Sequence, residues 1–189
     1  MTNSGQIELM APAGNFESLQ AAIDNGADSV YFGVDQLNMR ARASINFTLD
    51  DLPEIVKRCE EKQVRTYLTL NTIIYDHDLS VIKTLLDAAK AANITAVIAM
   101  DQAVIAYAKQ IGIEIHISTQ INITNIETVK FYALFADTMV MSRELSLRQV
   151  KKIVKQIEKE DVRGPSGNLV EVEIFGHGAL CMAVSGKCY

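Results

Sequence analysis

The stretch TAVIAMDQAVIAYAKQIGIEIHIST (residues 95–119) decides the fold, because it has the pattern of a strand, a helix and a second strand joined by short links. Its two ends, TAVIAM (95–100) and EIHIST (114–119), are apolar runs rich in Val, Ile and Thr, as buried strands are. The intervening residues 102–110 have a helical pattern. Two strands connected in this way lie parallel in one sheet with a right-handed crossover.

The same alternation continues on both sides of this stretch. The other predicted strands are IELMAP (7–12), DSVYFG (28–33), VRTYLTLN (64–71), DTMVMS (137–142) and VEVEIF (170–175). The other predicted helices are residues 16–25, 49–62, 78–92, 126–135 and 147–160. Asn15 and Ser146 directly precede two of these helices, where a side-chain oxygen satisfies the first backbone N–H groups. The pattern predicts an α/β protein with seven parallel strands.

Two architectures accommodate such repeats, a doubly wound open sheet and a (β/α) barrel. Polar residues follow nearly every predicted strand: Asn71, Asp101, Ser118, Gln120, Ser142, Arg143, Glu144 and His177. A barrel gathers all strand ends at one rim, whereas an open sheet gathers only those at its switch point. The sequence therefore favours a parallel TIM-type (β/α) barrel, incomplete at about seven strands.

The length bears on how much of a barrel is present. A complete barrel has eight strands in about 250 residues, and this chain has 189. We therefore expect residues 1–189 to be the N-terminal catalytic domain of a longer protein, truncated within the cysteine-bearing loop after the seventh strand. The first and seventh strands would then have unpaired edges, through which the fragment is expected to oligomerise.

Composition narrows the class of protein. With 49% hydrophobic residues the chain has ample material for a core, and its net charge of −5 argues against a free-standing nucleic-acid-binding module. The sequence shows neither a signal peptide nor a membrane span, so the expected location is cytoplasmic. Three cysteines in a reducing compartment are more often thiols, metal ligands or redox groups than structural disulfides.

Several side chains are candidates for binding an anion. Arg40 and Arg42 lie in an unusually long loop, GVDQLNMRARASINFT (33–48), and each has a guanidinium that binds a carboxylate or phosphate with two hydrogen bonds. Gln120 and Arg143 follow the fifth and sixth strands and are predicted at the same rim. The alternatives are solvated arginines, helix capping and a structural ion pair.

The three histidines differ in their surroundings. His77 begins a helix and is predicted at the surface, whereas His116 lies mid-strand and is predicted in the core or the barrel interior. His177 lies in a glycine-flanked loop beside Cys181 and is the candidate catalytic residue. The sequence lacks the H-E-x-x-H and G-x-S-x-G patterns of common hydrolases. Cys59, within a helix, is predicted to be a half-buried structural thiol.

Cys181 and Cys188 are separated by six residues in a loop of small side chains. Thiolates in such a loop suit zinc or an iron–sulfur cluster, both of which usually take four ligands. The spacing of the two cysteines is equally consistent with a metal site and with two unrelated thiols.

The stretch EIFGHGALCMAVSGKC (173–188) resembles the signature of peptidase family U-32, the collagenase-like proteins. Similar stretches are ELMAPAGNFESLQAAIDNGADSVYFG (8–33), the MRAR loop, VKFY (129–132) and MSRELSL (141–147), so the resemblance covers most of the chain. It is closest to the branch that hydroxylates the wobble uridine of transfer RNA.

The resemblance implies a catalytic barrel with a four-cysteine [4Fe–4S] cluster, in which Cys181 and Cys188 match the first two ligands and two more lie beyond Tyr189. It also implies oxygen-independent hydroxylation, on transfer RNA, ribosomal RNA or a ubiquinone precursor, with prephenate as a required metabolite of the RNA branches. The older family name records a protease activity.

Our first interpretation is thus the N-terminal part of an RNA hydroxylase that forms 5-hydroxyuridine in transfer RNA, which is held mostly by regions absent here. His177 would tune the cluster or position the substrate, and Arg40, Arg42, Gln120 and Arg143 would hold the acid. The alternatives are a peptidase and a non-enzymatic zinc-binding interaction module.

Overall fold

The computed structural model describes residues 7–34, 47–178 and 182–187. Within them lie seven strands: β1 (Met10–Pro12), β2 (Ser29–Phe32), β3 (Arg65–Leu70), β4 (Ala96–Ala99), β5 (Glu114–Ile117), β6 (Thr138–Val140) and β7 (Glu171–Glu173). They form one parallel sheet in which each strand pairs with the next along the chain, in the order β1 to β7. This order has no reversal, so it lacks the switch point of a doubly wound sheet.

Six α-helices connect these strands within the described residues: α1 (Phe16–Asp24), α2 (Leu52–Glu60), α3 (Leu79–Ala91), α4 (Gln102–Ile111), α5 (Ile126–Tyr132) and α6 (Leu147–Glu160). Every predicted helix and strand is confirmed, with ends that differ by a few residues. Asn15 accepts a hydrogen bond from the Ser18 backbone N–H at 2.8 Å, and Ser146 donates from its own N–H to Gln149 at 2.9 Å. The two predicted caps therefore exist, and they fix where α1 and α6 begin.

The two faces of the sheet have different environments. On the outer face, strand residues such as Phe32, Leu68 and Ile117 are fully buried against the helices in one large core. On the inner face, the rings of Tyr67 in β3 and His116 in β5 lie 4.6 Å apart across the intervening strand. Alternate strands of a flat sheet are about 10 Å apart, so this contact indicates a sheet curved toward its inner face. The molecule is the predicted partial (β/α) barrel.

Some details differ from the predictions. Cys59 is fully buried rather than half-buried, because it belongs to the core-facing stripe of α2 together with Leu52, Ile55 and Val56. Among the described strands, β1 pairs with β2 alone and β7 with β6 alone. Oligomerisation through these edges stays a prediction. None of the described helices is long and apolar enough to cross a bilayer.

The loop that leads from α6 into β7 packs tightly on the start of β6. Asp137 accepts hydrogen bonds from the backbone N–H and the hydroxyl of Ser166, at 3.1 and 2.6 Å. A Cβ at Gly164 would lie 2.8 Å from the Asp137 Cα, which is closer than unbonded carbon atoms approach. The absence of a side chain at Gly164 thus lets the loop hold β7 in register.

We expect Gly164→Ala to destabilise the fold by about 1–3 kcal/mol, because either Asp137 or the loop must move to admit the methyl group. Denaturant unfolding of both proteins measures the effect. Gly176→Ala is the matched control, since a Cβ there meets no atom within 4 Å. Equal stability of the two variants would contradict the packing argument.

Candidate functional site at the carboxyl-end rim

Polar side chains that follow different strands meet at the carboxyl end of the sheet, as predicted. The Asn71 amide lies 3.4 Å from the Ser118 hydroxyl, which joins the ends of β3 and β5. Asp101 caps α4 through a 2.9 Å hydrogen bond from the Ala103 N–H. It also accepts a hydrogen bond from the Ile74 N–H at 3.2 Å. The rim is therefore a connected polar surface.

Residues 182–187, here called the inter-cysteine segment, lie against this rim. Glu144 accepts a 2.8 Å hydrogen bond from the Ser185 backbone N–H, and its other carboxylate oxygen accepts from the Ser142 hydroxyl. These donors lower the pKa of Glu144 to about 2, with the Ser142 hydroxyl contributing most. Glu144 is thus ionised at neutral pH, and its two oxygens connect Ser142 to the segment.

Two further rim residues contact the same segment. The Arg143 guanidinium donates to the Ala183 carbonyl at 3.1 Å, and Gln120 accepts from the Gly186 N–H at 3.1 Å. The Ser185 hydroxyl lies 3.4 Å from the Arg143 backbone N–H. Gln120 and Arg143, both predicted to bind an anion, therefore bind the backbone of the inter-cysteine segment in this structure.

The segment turns sharply at Ser185 and Gly186. The Lys187 N–H donates to the Val184 carbonyl at 2.9 Å, which closes a four-residue turn, and Gly186 has the positive φ of 79° that this turn requires. A Cβ at Gly186 would lie 2.7 Å from the Gln120 carbonyl oxygen. Only glycine permits both this backbone conformation and this close approach.

The remaining predicted site residues are in different situations. His177 is exposed and follows β7 on the same side of the sheet as the rim. Arg40, Arg42, Cys181 and Cys188 lie outside the described residues. Among the residues that the structure describes, no three His, Cys, Asp or Glu side chains are grouped to bind a metal ion.

A second polar cluster occupies the inner face of the sheet, toward the amino ends of the strands. His116 is 4% exposed; its Nε2 lies 3.3 Å from Glu114 Oε1 and its Nδ1 lies 3.8 Å from Glu173 Oε2. Burial disfavours the charged imidazolium, but the hydrogen bond to Glu114 and the electrostatic attraction of both glutamates outweigh it and raise the pKa of His116 to about 9. The prediction of an interior histidine is confirmed.

Tyr67 extends this inner cluster toward β1. Its hydroxyl donates to Glu8 at 2.7 Å, and Arg65 pairs with the same carboxylate. Burial, together with the Glu8 carboxylate, raises the pKa of Tyr67 above its ordinary value. The inner face thus has its own ionic network, some distance along the strands from the rim.

Sequence reasoning missed two sets of contacts. Ser185 is almost fully buried, with 1% exposure, but the sequence does not distinguish it from the other small residues of its loop. Glu173 and Glu8 were not predicted as partners of His116 and Tyr67, although the i, i+2 spacing of Glu114 and His116 in β5 does indicate a shared face. The contact of Glu173 with His116 joins strands that are not adjacent, so no local pattern predicts it.

The fold and the rim define a class of protein: a partial (β/α) barrel whose carboxyl-end rim holds a segment flanked by two cysteines. The model of peptidase family U32 matches residues 14–189. The chain belongs to this family.

Curated relatives have names of two kinds. A protein of Porphyromonas gingivalis named collagenase is 53% identical over 99% of this chain and 45% of its own length. A protein of Helicobacter pylori named tRNA hydroxylation protein P is 34% identical over 97% of this chain and 42% of its own length. An Escherichia coli ribosomal RNA 5-hydroxycytidine synthase is 32% identical over 99% of this chain and 27% of its own length. The chain thus spans less than half the length of these relatives.

Solved structures agree on the fold. A U32 peptidase superposes with a TM-score of 0.66 over 92% of this chain and 70% of its own, at 14% identity. The tryptophan synthase α subunit of Legionella pneumophila, a barrel protein, gives a TM-score of 0.58 over 92% of this chain and 74% of its own, at 16% identity. At these identities the likeness concerns the architecture alone.

Proposed function

We propose that this chain is the barrel part of an RNA hydroxylase that depends on an iron–sulfur cluster. The observation that carries the proposal is the position of the inter-cysteine segment, which Glu144, Arg143 and Gln120 hold against the carboxyl-end rim. Catalytic groups of (β/α) barrels lie at this rim in essentially every characterised case. Cys181 and Cys188 flank the segment in the sequence.

The residue types suit an iron–sulfur cluster. Thiolate sulfurs are the usual ligands of iron–sulfur clusters, and the segment between the two cysteines contains small residues and a tight turn. A [4Fe–4S] cluster takes four cysteines, so two further ligands would come from beyond Tyr189. When bound, such a cluster supplies electron transfer at the rim.

The names of the relatives support RNA as the substrate. Relatives named for tRNA hydroxylation and for ribosomal RNA 5-hydroxycytidine synthesis are aligned over nearly the whole chain. We propose wobble uridine of transfer RNA as the target, with 5-hydroxyuridine as the product. The exposed lysines 151, 152, 155 and 159 of α6 give a small basic face, and a chain of charge −5 would leave most RNA contacts to other regions.

The co-substrate would be prephenate, an acid with two carboxylates. Arg40 and Arg42 are our first candidates for binding it, because a guanidinium forms paired hydrogen bonds with a carboxylate. Arg143 and Gln120 already contact the inter-cysteine segment, so a role for them in binding the acid stays a prediction. His177, exposed after β7, is proposed to position the substrate.

A peptidase is the second candidate, because the 53% identical relative is named collagenase. A peptidase needs an activated nucleophile or a metal-bound water. Nε2 of His116 contacts Glu114, and Nδ1 has no hydrogen-bond partner among the described residues. This histidine therefore activates no hydroxyl or thiol in the described part of the chain.

Anaerobic purification of the full-length protein, with iron, zinc and sulfide quantitation, tests the proposal. We expect about four irons and four sulfides per polypeptide, and loss of 5-hydroxyuridine from the transfer RNA of a deletion strain. A colourless, iron-free protein that cleaves denatured collagen would support the peptidase. Zinc without sulfide and without either activity would support the interaction module.

A further inference from the structure

We infer that Glu144, Arg143 and Gln120 are positioning residues whose task is to hold the inter-cysteine segment at the rim. The purpose of this positioning rests on the proposed function, whereas the contacts themselves are made by described residues. The three residues lie just after β5 and β6, and each side chain hydrogen bonds with the main chain of the segment. Arg143 Nε also donates to the Ser185 hydroxyl at 3.5 Å.

Glu144 makes the central contact. Its Oε1 accepts from the Ser185 N–H at 2.8 Å, while the Ser142 hydroxyl donates to Oε2. Ser142 is buried just after β6, so its hydroxyl fixes the direction of the carboxylate that contacts the segment. A carboxylate that accepts two hydrogen bonds in fixed directions restrains both partners.

Arg143 and Gln120 hold the segment on either side of this contact. Arg143 donates to the carbonyl of Ala183, two residues before Ser185, and Gln120 accepts from the N–H of Gly186, one residue after it. Three backbone sites within residues 183–186 are thereby attached to the loops that follow β5 and β6. Ser185, at 1% exposure, is the most buried point of the attachment.

The amino-acid composition of the inter-cysteine segment explains why it needs these hydrogen bonds. The segment has the sequence MAVSGK, and exposed residues surround its one buried serine, so it buries little apolar surface that would order it. Fixing the backbone of each residue has a cost in conformational entropy. Hydrogen bonds from the rim offset that cost before any metal binds, and the cysteines of the proposed cluster directly flank this segment in the sequence.

Hydrogen exchange on the metal-free, full-length protein tests the attachment directly. Glu144→Ala should speed exchange of the Ser185 amide by roughly tenfold or more, since a hydrogen bond to a charged acceptor is lost. Glu144→Gln keeps an acceptor oxygen and should retain most of the protection. Glu54→Ala is the matched control, because Glu54 pairs with Arg58 on the outer helix α2, away from the rim.

Iron binding supplies the second readout. After anaerobic reconstitution, Glu144→Ala should bind iron at least about tenfold more weakly than the parent, a loss in the range for residues that orient metal ligands. Glu54→Ala should bind normally. Unchanged Ser185 exchange and unchanged iron affinity in Glu144→Ala would overturn the inference.

The two proposals fail in different ways. A parent protein without iron refutes the proposed cluster, yet faster Ser185 exchange in Glu144→Ala would still show that Glu144 holds the segment. An iron-loaded parent with slow exchange in every variant refutes the positioning role and leaves the cluster standing.

Discussion

Cys181→Ser in the full-length protein is expected to abolish stable iron binding and to lower RNA hydroxylation by at least about 100-fold. A serine hydroxyl is a poor replacement for the thiolate that iron–sulfur clusters require. Removing groups that only orient metal ligands already costs 10–100-fold, so loss of a ligand should cost more. Visible absorption, iron content and nucleoside analysis of the transfer RNA measure the effect.

Cys59→Ala is the matched control for this experiment. Cys59 is fully buried in α2, and burial raises the pKa of its thiol to about 11, so it stays protonated and inert. This variant should keep its iron while losing some stability. A Cys181→Ser protein with normal iron and normal hydroxylation would end the cluster proposal. Loss of collagen cleavage by Cys181→Ser, from a parent without iron, would favour the peptidase.

His116 is expected to make the stability of the fold depend on pH in the alkaline range. Its pKa is about 9 in the folded protein, against an ordinary value of 6.5. Because the folded pKa is the higher one, the contribution is complete below about pH 6.5 and is lost as the pH rises through 9. A pKa difference of this size corresponds to a contribution on the order of 3 kcal/mol to the free energy of unfolding.

The measurement is the free energy of unfolding in denaturant between pH 6 and 10. The parent should lose stability across this range, and His116→Gln should show a much smaller decline. The groups facing His116 are Glu114 on its own strand, Glu173 on β7 and the Tyr67 ring on β3. Hydrogen bonding to His116 lowers the pKa of Glu114, whereas Tyr67, with its raised pKa, stays neutral.

The exposed His77 provides the control, since its side chain is 81% exposed beside Asp78. His77→Gln should reproduce the pH dependence of the parent. Identical pH profiles for His116→Gln and the parent would show that the inner carboxylates do not hold the imidazolium.

Local sequence was enough to predict the elements of the fold. Alternation of apolar runs and helical patterns located all seven strands and six helices, and Asn15 and Ser146 marked two helix starts. These signals depend on residues a few positions apart, such as the 2.8 Å hydrogen bond between Asn15 and the Ser18 N–H. Convergence of polar residues at one rim also followed, because parallel strands of a barrel end on the same side.

The roles of the rim residues were not predictable in the same way. Gln120 and Arg143 were predicted as binders of an anion, and the structure places them on the inter-cysteine segment. Gln120 is 66 residues from Gly186, and Glu144 is 41 residues from Ser185. Nothing near Gln120 or Glu144 in the chain indicates these partners.

The sequence by itself thus determined the parallel barrel pattern, the chemistry available at its rim and the pair of cysteines. The tertiary structure alone decided that Glu144, Arg143 and Gln120 hold the segment between those cysteines, and that Glu173 approaches His116 from a non-adjacent strand. The physical reason is that strands and helices arise from short-range periodicity, whereas these contacts exist only after the sheet has curved and brought distant strand ends together.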